Sequence, residues 1–279
     1  MKLLICTQAA DRDDPVLGFF YRWIEEFKKY GEVEVISLKD LGSGGKVARS
    51  WRLLRLISTL TYDAVFVHMN PEYLVAAGWL WRLRGKKTAL WYTHKHVDLK
   101  LRIAEKFANV VLTASRESFR LKSSKARVMG HGIDTDFFTP DPTVVRGEAL
   151  LSVGRLTKSK RHDLAIRAAV EQGRTLLIAG EGPERKNLES LAQELGATVR
   201  FLGALTQTQL RDEYRKAACL IHTSETGSLD KVVLEALACG CPIKTNDPAL
   251  KHLEQASHAY VREHHSLKNL IPAILKELA

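Results

Sequence analysis

Arg155 and Lys160 are two cations, five residues apart, that follow the short apolar run Leu150–Val153. Such a run is typical of a buried parallel strand, and ligands of parallel sheets bind beyond the carboxyl ends of the strands. Gly154 separates the strand from the first cation and would let a ligand approach the backbone closely. The spacing therefore indicates a site for an anionic group such as a phosphate; a solvated basic loop is the alternative.

Glu235 is the next candidate for a chemical role. It lies in a predicted helix, residues 229–239, and its nearest neighbours on both sides are apolar. A carboxylate is rarely buried without a partner. Lys231 stands four residues earlier, so an ion pair within the helix is one interpretation and a bound ligand is the other. Gly227 and Ser228, just before the helix, offer backbone N–H groups that form a ready anion site.

Two weaker signals accompany these residues. The turn Gly180-Glu181-Gly182-Pro183 joins a predicted strand to a predicted helix and is a partial glycine-rich signature. His94 and His96 follow a predicted strand in the first half of the chain. Histidines at that place can hydrogen-bond a ligand or help a hydroxyl group to lose its proton. Histidines that only complete the hydrogen bonds of a strand end are the alternative.

Short apolar runs alternate along the chain with segments of helical periodicity. The predicted strands are Leu3–Thr7, Val33–Leu38, Ala64–His68, Thr88–Thr93, Val110–Ala114, Leu150–Val153, Thr175–Ala179, Val199–Leu202, Leu220–Thr223 and Ile243–Thr245. The predicted helices include residues 16–31, 160–172, 184–195, 207–218, 229–239 and 266–278. This alternation predicts an α/β fold with doubly wound parallel sheets, covered by helices on both faces.

Residues 139–148 interrupt the alternation with two prolines and one glycine. We therefore expect two Rossmann-like domains, residues 1–143 and residues 144–279. Two such domains facing each other across a cleft would place the main site in that cleft, at the carboxyl ends of the strands.

The composition is ordinary for a globular protein of two domains, with 279 residues, 45% of them apolar and 27% charged. No apolar run approaches the roughly 18 residues that a membrane-spanning helix needs. The opening residues MKLLICTQ lack the pattern of a signal peptide. Four cysteines without metal-ligand spacing are typical of a reducing compartment. These features predict a cytoplasmic protein.

The net charge of +10 is concentrated in residues 43–106, which hold 12 Lys or Arg against 4 Asp or Glu. A local basic field of this kind predicts an anionic partner. Arg49, Arg52 and Arg55 are spaced at helical intervals beside a tryptophan, and residues 79–87 add further tryptophans and cations. This combination is typical of a membrane interface; two ordinary helices with a solvated face are the alternative. Nucleic acid is not the expected partner, because no nucleic-acid-binding motif is recognisable.

Four segments of the second half, in order and spacing, resemble the retaining GT-B glycosyltransferases of glycosyltransferase family 4. They are SVGRLTKSK (152–160), LLIAGEGPERKNLESLAQELG (176–196), VRFLGAL (199–205) and HTSETGSLDKVVLEALACGCPI (222–243). Weaker similarity extends into the first half. The resemblance implies a GT-B fold and transfer of a sugar, with retention, from a UDP-sugar or GDP-sugar to an acceptor hydroxyl. It implies no cofactor, and it fits the synthesis of glycolipids, polysaccharides or cell-envelope glycans.

The resemblance also implies roles for single residues. Arg155 and Lys160 neutralise the donor diphosphate and, together with His94 beside the transferred sugar, form the expected catalytic set. Glu235 hydrogen-bonds the ribose hydroxyls, which suits a carboxylate that accepts two bonds from a vicinal diol. The expected donor-binding residues are Gly154, Arg155, Lys160, Gly180, Gly182, Gly227, Ser228, Leu229, Asp230, Lys231 and Glu235. The expected acceptor-side residues, in the first domain, are Gly18, His94 and His96.

Fixed cations and helix-terminal amides can take the place of a metal at a diphosphate, so no metal site is expected. The chain contains two Asp-x-Asp triplets, at residues 11–13 and 134–136. The first lies in an acidic loop of the other domain and the second in a linker motif, so we expect both to be structural or solvated.

The chain departs from the family pattern in several places. Gly227 stands where the family has a glutamate that contacts the transferred sugar, so Asp230 or Glu225 would have to reach the sugar from the same loop. Asp230 is equally well explained as a favourable acid in the first helical turn. Near Gly18 the family often has a second glycine. Little sequence follows residues 266–278, so we expect the C-terminal helix that returns to the first domain to be absent.

The expected partners are a nucleoside-diphosphate sugar, a lipid-linked or glycan acceptor, and an anionic membrane surface that would hold the protein peripherally at the inner face of the membrane. Two alternatives remain open. One is a catalytically impaired sugar-nucleotide-binding protein, which the glycine at position 227 suggests. The other is a GT-B sugar-nucleotide epimerase, although the Gly-Arg-Leu and KVVLEALACG motifs fit the transferase better.

Overall fold

The computed structural model describes residues 1–12, 14, 17–224 and 228–279. Its strands are β1 (Leu3–Thr7), β2 (Val33–Ser37), β3 (Ala64–His68), β4 (Lys87–Trp91), β5 (Val110–Thr113), β6 (Ala126–Val128), β7 (Leu150–Val153), β8 (Leu176–Ala179), β9 (Val199–Gly203), β10 (Cys219–His222) and β11 (Ile243–Thr245). Its helices are α1 (Gly18–Lys28), α2 (Lys46–Thr59), α3 (Glu72–Leu83), α4 (Leu99–Phe107), α5 (His162–Glu171), α6 (Arg185–Glu194), α7 (Gln207–Lys216), α8 (Lys231–Ala238), α9 (His258–His264) and α10 (Leu267–Leu278), with short 3-10 helices at Lys158–Lys160 and Pro248–Gln255. Every strand predicted from the sequence is present, with ends that shift by one or two residues at most.

Two compact units make up the chain, residues 1–132 with 267–279, and residues 133–266. The sequence predicted the boundary between the two domains after residue 143, at the proline-rich stretch, with the last helix in the second domain. The observed boundary lies earlier because Ile133 and Phe138 are buried in the core of the second unit. The prolines at 140 and 142 therefore mark a turn within that unit rather than a linker between domains.

The first unit contains a parallel sheet with the strand order β2-β1-β3-β4-β5-β6. Every residue of β1 and β3 is buried, and alternate side chains of each strand join two different apolar clusters. Helices α2, α3 and α4 contribute to the cluster on one face, and α1 and α10 to the cluster on the other. The sheet is therefore covered on both faces, as the continuous apolar runs predict.

Helix α10 corrects the expectation that no C-terminal helix returns to the first domain. Its residues Leu270, Ile271 and Ile274 are buried in the same cluster as Trp23 and Phe27 of α1. The helix belongs to the first unit although it follows the second unit in sequence. Its apolar stripe shows that one face is buried, but a stripe does not reveal which sheet covers it.

The second unit contains a parallel sheet with the strand order β11-β10-β7-β8-β9. Counted within the unit, this is the Rossmann order 3-2-1-4-5, and the chain changes direction between β7 and β10. In such sheets the ligand lies beyond the carboxyl ends of the two strands at that switch point. The loops that leave β7 and β10 begin at Gly154 and Thr223, which are the segments that the sequence singled out.

Four elements of the structure were not predicted, and one of them is the 3-10 helix Lys158–Lys160 in the loop after β7. Strand β6 has three residues, none of them buried, so it lacks an apolar run. The 3-10 helix Pro248–Gln255 and helix α9 are short, and only Leu250, Leu253 and Val261 are buried in them. In the part of the chain that the structure describes, no helix is both long enough and apolar enough to cross a bilayer.

Candidate functional site

The loop after β7 turns Lys160 back over the strand end. Gly154 has a φ of 152°, and a Cβ atom there would lie 3.6 Å from the side chain of Lys160. Arg161 has a left-handed φ of 51°, which ends the 3-10 turn and starts α5. A non-glycine residue in this conformation is strained, and such strain is concentrated at functional sites.

The glycines of the turn after β8 hold that turn against the loop after β7. A Cβ atom at Gly180 would lie 2.0 Å from the carbonyl oxygen of Gly154, and one at Gly182 would lie 2.3 Å from that of Leu156. The Leu156 N–H also donates to the carbonyl of Glu181 at 2.9 Å. Only glycine allows this contact between two backbones. A direct contact of Gly180 and Gly182 with a donor stays a prediction.

Asp230 joins the loop after β10 to the loop after β7. Its Oδ2 atom accepts hydrogen bonds from Lys160 Nζ at 2.6 Å and from His222 Nε2 at 3.0 Å. The other ring nitrogen of His222 contacts the Thr245 hydroxyl at 2.9 Å. Burial raises the pKa of the Asp230 carboxyl, but the bond from His222 and the charge of Lys160 outweigh it and lower the pKa to about 2. Asp230 is therefore an ionised partner that holds Lys160 at the switch point.

Arg155 has a different environment from Lys160. Its side chain is exposed and makes no hydrogen bond or ion pair with any residue that the structure describes. Its guanidinium carries a permanent charge and five donors in a planar fork. The two cations thus provide one fixed charge and one that is open to an anionic ligand.

Glu235 is buried in α8, with 1% of its side chain exposed. Lys231 Nζ lies 2.6 Å from its Oε1 atom, and the Tyr214 hydroxyl donates to its Oε2 atom at 3.3 Å. The ion pair considered from the sequence is therefore formed. Burial, followed by the charge of Glu235, raises the pKa of Tyr214 well above its usual value, so its hydroxyl keeps the proton that it donates. Each carboxylate oxygen retains a second lone pair.

Tyr214 and His162 are site residues that sequence reasoning missed. His162 Nδ1 contacts the Ser152 hydroxyl at 2.8 Å, and its buried Nε2 lacks a hydrogen-bond partner among the described residues. That nitrogen lies 3.7 Å from where a Cβ of Gly154 would stand. Burial lowers the pKa of His162 to about 4, so the ring beneath the loop is neutral at pH 7. The sequence signal that could have pointed to His162 is its position directly after the basic loop that carries Lys160.

The start of α8 is only partly described. Gly227 and the alternative sugar-contacting residue Glu225 lie outside the described residues. Ser228 and Leu229 are half-buried just before the first helical residue, Lys231. The first turn of α8 contains no acidic residue, but Asp230 stands at its N-cap, where its carboxylate accepts hydrogen bonds from Lys160 and His222. Binding of an anion by the backbone amides there stays a prediction.

The predicted acceptor-side residues lie at the carboxyl edge of the first sheet. Gly18 begins α1, and a Cβ atom there would lie 2.6 Å from the carbonyl oxygen of Arg12. His94 and His96 are exposed in the loop after β4, where the His96 N–H donates to His94 Nδ1 at 3.1 Å. The structure thus brings the two histidines together, whereas Gly18 follows β1, which β3 separates from β4.

The two Asp-x-Asp triplets have separate environments. Asp134 Oδ1 accepts a hydrogen bond from the backbone of Phe137 at 3.1 Å, as a turn cap does. Asp11 lies 3.5 Å from Lys39 Nζ, and Asp13 is outside the described residues. Within residues 1–12, 14, 17–224 and 228–279, no three His, Cys, Asp or Glu side chains form a group that could hold a metal ion.

The second half of the chain is similar to a known protein family. The family described as glycosyl transferases group 1 matches residues 140–276. A D-inositol 3-phosphate glycosyltransferase of Frankia alni is 34% identical over 142 residues, 42% of this chain and 35% of the relative. One of Mycobacterium leprae is 31% identical over 141 residues, 44% of this chain and 33% of the relative. The matched region therefore spans about a third of the length of these curated relatives.

Solved structures match the whole chain. A crystal structure of Anabaena Alr3699/HepE in complex with UDP and glucose superposes with a TM-score of 0.74 at 16% identity, over 100% of this chain and 99% of that one. Sucrose-phosphate synthase from Thermosynechococcus elongatus gives a TM-score of 0.74 at 13% identity, over 99% and 98%. At these identities the likeness concerns the fold. The prediction of a GT-B fold built from two Rossmann-like parallel-sheet domains is confirmed.

Proposed function

We propose that this chain, which has the GT-B fold, is a retaining hexosyltransferase of glycosyltransferase family 4. It would move a sugar from a UDP-sugar or GDP-sugar to an acceptor hydroxyl during the synthesis of a glycolipid, polysaccharide or cell-envelope glycan. The observation that carries the proposal is the bond between Lys160 and Asp230. It joins the two motifs of the family at the switch point of the second sheet, beside the open guanidinium of Arg155.

The charges of this site suit a departing diphosphate. When the bond between the sugar C1 atom and the diphosphate oxygen breaks, negative charge grows on the leaving group. Lys160, Arg155 and the amides at the start of α8 would stabilise this charge more in the transition state than in the bound donor. The UDP in complex with Anabaena Alr3699/HepE supports a uridine nucleotide as the first candidate.

Retention requires that the acceptor oxygen bonds to C1 on the face that the diphosphate leaves. In the proposed reaction the acceptor proton passes to an oxygen of the leaving diphosphate, so atoms and charge balance without a protein nucleophile. His94 would hydrogen-bond the sugar or the acceptor hydroxyl. No cofactor and no metal take part in this scheme.

A thermal-shift screen of nucleoside diphosphates and their sugars, followed by NMR of the products, tests the proposal. A ligand at 100 times its Kd stabilises the protein by about 2.7 kcal/mol, which a melting experiment resolves. We expect UDP or GDP to raise the melting temperature, and the matching sugar nucleotide to yield a glycoside of unchanged anomeric configuration. Binding without transfer or hydrolysis would favour the impaired binding protein, and a sugar of altered ring configuration would favour the epimerase.

We also propose that the first unit contacts an anionic membrane surface. Two pairs of apolar side chains at i, i+4 spacing are exposed on α2 and α3, which pack against each other. They are Val47 with Trp51, exposed by 74% and 71%, and Trp79 with Leu83, exposed by 45% and 77%. Apolar residues among cations are typical of an interfacial surface.

The structure corrects part of the interpretation of residues 43–106. Trp81 is fully buried and donates to the Tyr62 hydroxyl at 2.9 Å, so it cannot reach a membrane. Arg52 donates to the carbonyl oxygen of Leu41 at 2.7 Å and therefore holds a loop. Arg55 is exposed and makes no hydrogen bond or ion pair with a described residue, so it is the arginine of this row that is best placed to meet lipid.

Replacing Trp51 and Trp79 together by serine should remove most of the binding to vesicles of phosphatidylcholine with phosphatidylserine, measured by cosedimentation. Arg55→Gln should weaken it about fivefold, because a cation at an anionic surface contributes about 1 kcal/mol. Val145→Ser removes an apolar side chain that is 89% exposed in the second unit and serves as the control. Equal, negligible binding of the unaltered protein to neutral and anionic vesicles would contradict the proposal.

A further inference from the structure

A cavity of about 350 Å³ opens at the carboxyl edge of the first sheet. Of the residues that line it, Leu38 follows β2 directly and Asn70 is the second residue after β3. The first two turns of α2, the first half of α3 and the start of α4 complete the wall. Ligands of parallel sheets bind at this edge, so the cavity lies where the fold favours a ligand.

The charged side chains of the cavity are unbalanced. Lys46 and Arg49 lie one turn apart on α2 and have no ion-pair partner among the residues that the structure describes. Lys100 forms an ion pair with Glu72 at 2.7 Å, so these two charges cancel. The lining therefore offers two uncompensated positive charges to whatever occupies it.

Arg49 carries a donor that lacks an acceptor. Its Nε atom is shielded from solvent and makes no hydrogen bond within the described part of the chain. A buried donor without a partner is costly, so such a group in a cavity wall indicates an absent ligand or bound water. A guanidinium is always charged and matches the oxygens of a phosphate in a bidentate way.

Two further features fit an anion with an uncharged body. Helix α2 begins at Lys46 without a side-chain cap and without an acid in its first turn, so its amides and dipole favour negative charge there. The lining also includes the apolar side chains of Leu41, Leu53 and Val75. A cavity that combines cations with apolar side chains suits a charged group attached to an uncharged body.

The cavity is tied to the predicted acceptor loop. Met69 has a left-handed φ of 63° in a tight turn in which the Asn70 N–H donates to the carbonyl of His68 at 2.8 Å. The sulfur of Met69 accepts hydrogen bonds from the amide and the hydroxyl of Thr93, both at 3.3 Å. Thr93 precedes His94. The strained turn therefore fixes one cavity residue relative to the loop that carries His94.

We propose that this cavity binds the phosphate group of a phosphate-bearing acceptor, with Arg49 and Lys46 as its ligands. Two uncompensated cations and a helix terminus match a phosphate monoester, whose charge near pH 7 is close to −2. The identification of the ligand as the acceptor rests on the proposed function. The phosphate site itself stands on the geometry of the first unit alone.

Phenyl phosphate, titrated calorimetrically into the full chain at pH 7.5, tests the site, with benzyl alcohol as the uncharged counterpart. We expect phenyl phosphate to bind at least ten times more tightly than benzyl alcohol, and its affinity to fall as salt rises. Arg49→Gln and Lys46→Gln should each weaken binding about tenfold, the scale of a charge-assisted hydrogen bond. Arg55→Gln, on the same helix but outside the cavity, should change it less than twofold.

Two further measurements distinguish binding at this cavity from other sources of phosphate binding. In Arg155→Ala protein the affinity for phenyl phosphate should be unchanged, because the proposed donor site lies in the other unit. Vesicles with and without phosphatidic acid show whether a lipid headgroup supplies the phosphate. Tight binding to those vesicles alone, sensitive to Lys46→Gln, supports a lipid source, and binding of phenyl phosphate supports a soluble one. Equal affinities for Arg49→Gln, Lys46→Gln and the unaltered protein, or no binding of either phosphate source, overturn the inference.

Discussion

Arg155→Ala and Lys160→Ala should each lower the rate of sugar transfer by about a hundredfold or more, the scale on which enzymes lose activity when a donor to the transition state is removed. The reason is the charge that grows on the departing diphosphate. Lys160 is held by Asp230 at 2.6 Å, so it meets that charge without first having to be ordered. The loss should appear mainly in kcat, because the charge that matters is the additional negative charge that develops on the diphosphate as its bond to the sugar breaks.

Lys158→Ala is the matched control for both variants. Lys158 lies in the same 3-10 turn as Lys160, but its side chain is exposed and makes no hydrogen bond or ion pair with a described residue. Its loss should change the rate by less than threefold. A chelator such as EDTA should leave the unaltered enzyme active. Rates of Arg155→Ala and Lys160→Ala close to that of the control, or an absolute need for added Mn²⁺ or Mg²⁺, would contradict the scheme.

The strands that frame this site can be predicted from the sequence, because each strand has a local pattern that identifies it. The strands β1, β3, β7 and β11 have the predicted ends, since a buried parallel strand is a short apolar run bounded by polar or turn residues. The resemblance to a family implies that Arg155 and Lys160 act together on the donor diphosphate. Their place at the carboxyl end of β7 follows from the strand that precedes them.

The pairing of Lys160 with Asp230 could not be predicted, because the two residues are 70 positions apart. Their contact depends on β7 and β10 being neighbours in the sheet, and strand order leaves no mark in local sequence. Tyr214 meets Glu235 for a similar reason, across the contact between α7 and α8. The unit against which α10 packs likewise depends on which apolar core can bury its apolar face. Long-range contacts of this kind are determined by tertiary packing rather than by the local propensity of the sequence.

Glu235→Gln should weaken the binding of UDP or GDP by about 1.5–3 kcal/mol, the value of a hydrogen bond to a charged group. Glutamine keeps the size of the side chain but replaces one acceptor oxygen with a donor. This matters because Glu235 is almost fully buried between Lys231 and Tyr214. Glu235→Ala would leave both donors without their acceptor and would lower the stability of the fold as well as the affinity.

Tyr214→Phe distinguishes the contribution of Glu235 to the stability of the fold from its contribution to nucleotide binding. The variant removes the bond to Oε2 but leaves the carboxylate and its contact with Lys231 intact. It should lower the free energy of unfolding by about 1 kcal/mol, the usual net value of a hydrogen bond. Nucleotide affinity should change much less than in Glu235→Gln, because the acceptor of the ribose hydroxyls remains.

The ribose assignment has a readout that a merely structural glutamate would not produce. The unaltered protein should bind UDP more tightly than 2′,3′-dideoxy-UDP by about 1.5–3 kcal/mol, since the analogue lacks both hydroxyls that the carboxylate would accept from. In Glu235→Gln protein this difference should shrink to a small fraction, while in Tyr214→Phe protein it should persist. If a folded Glu235→Gln variant still prefers UDP by the full margin, Glu235 serves only the packing of α8 against α7, and the ribose is held elsewhere.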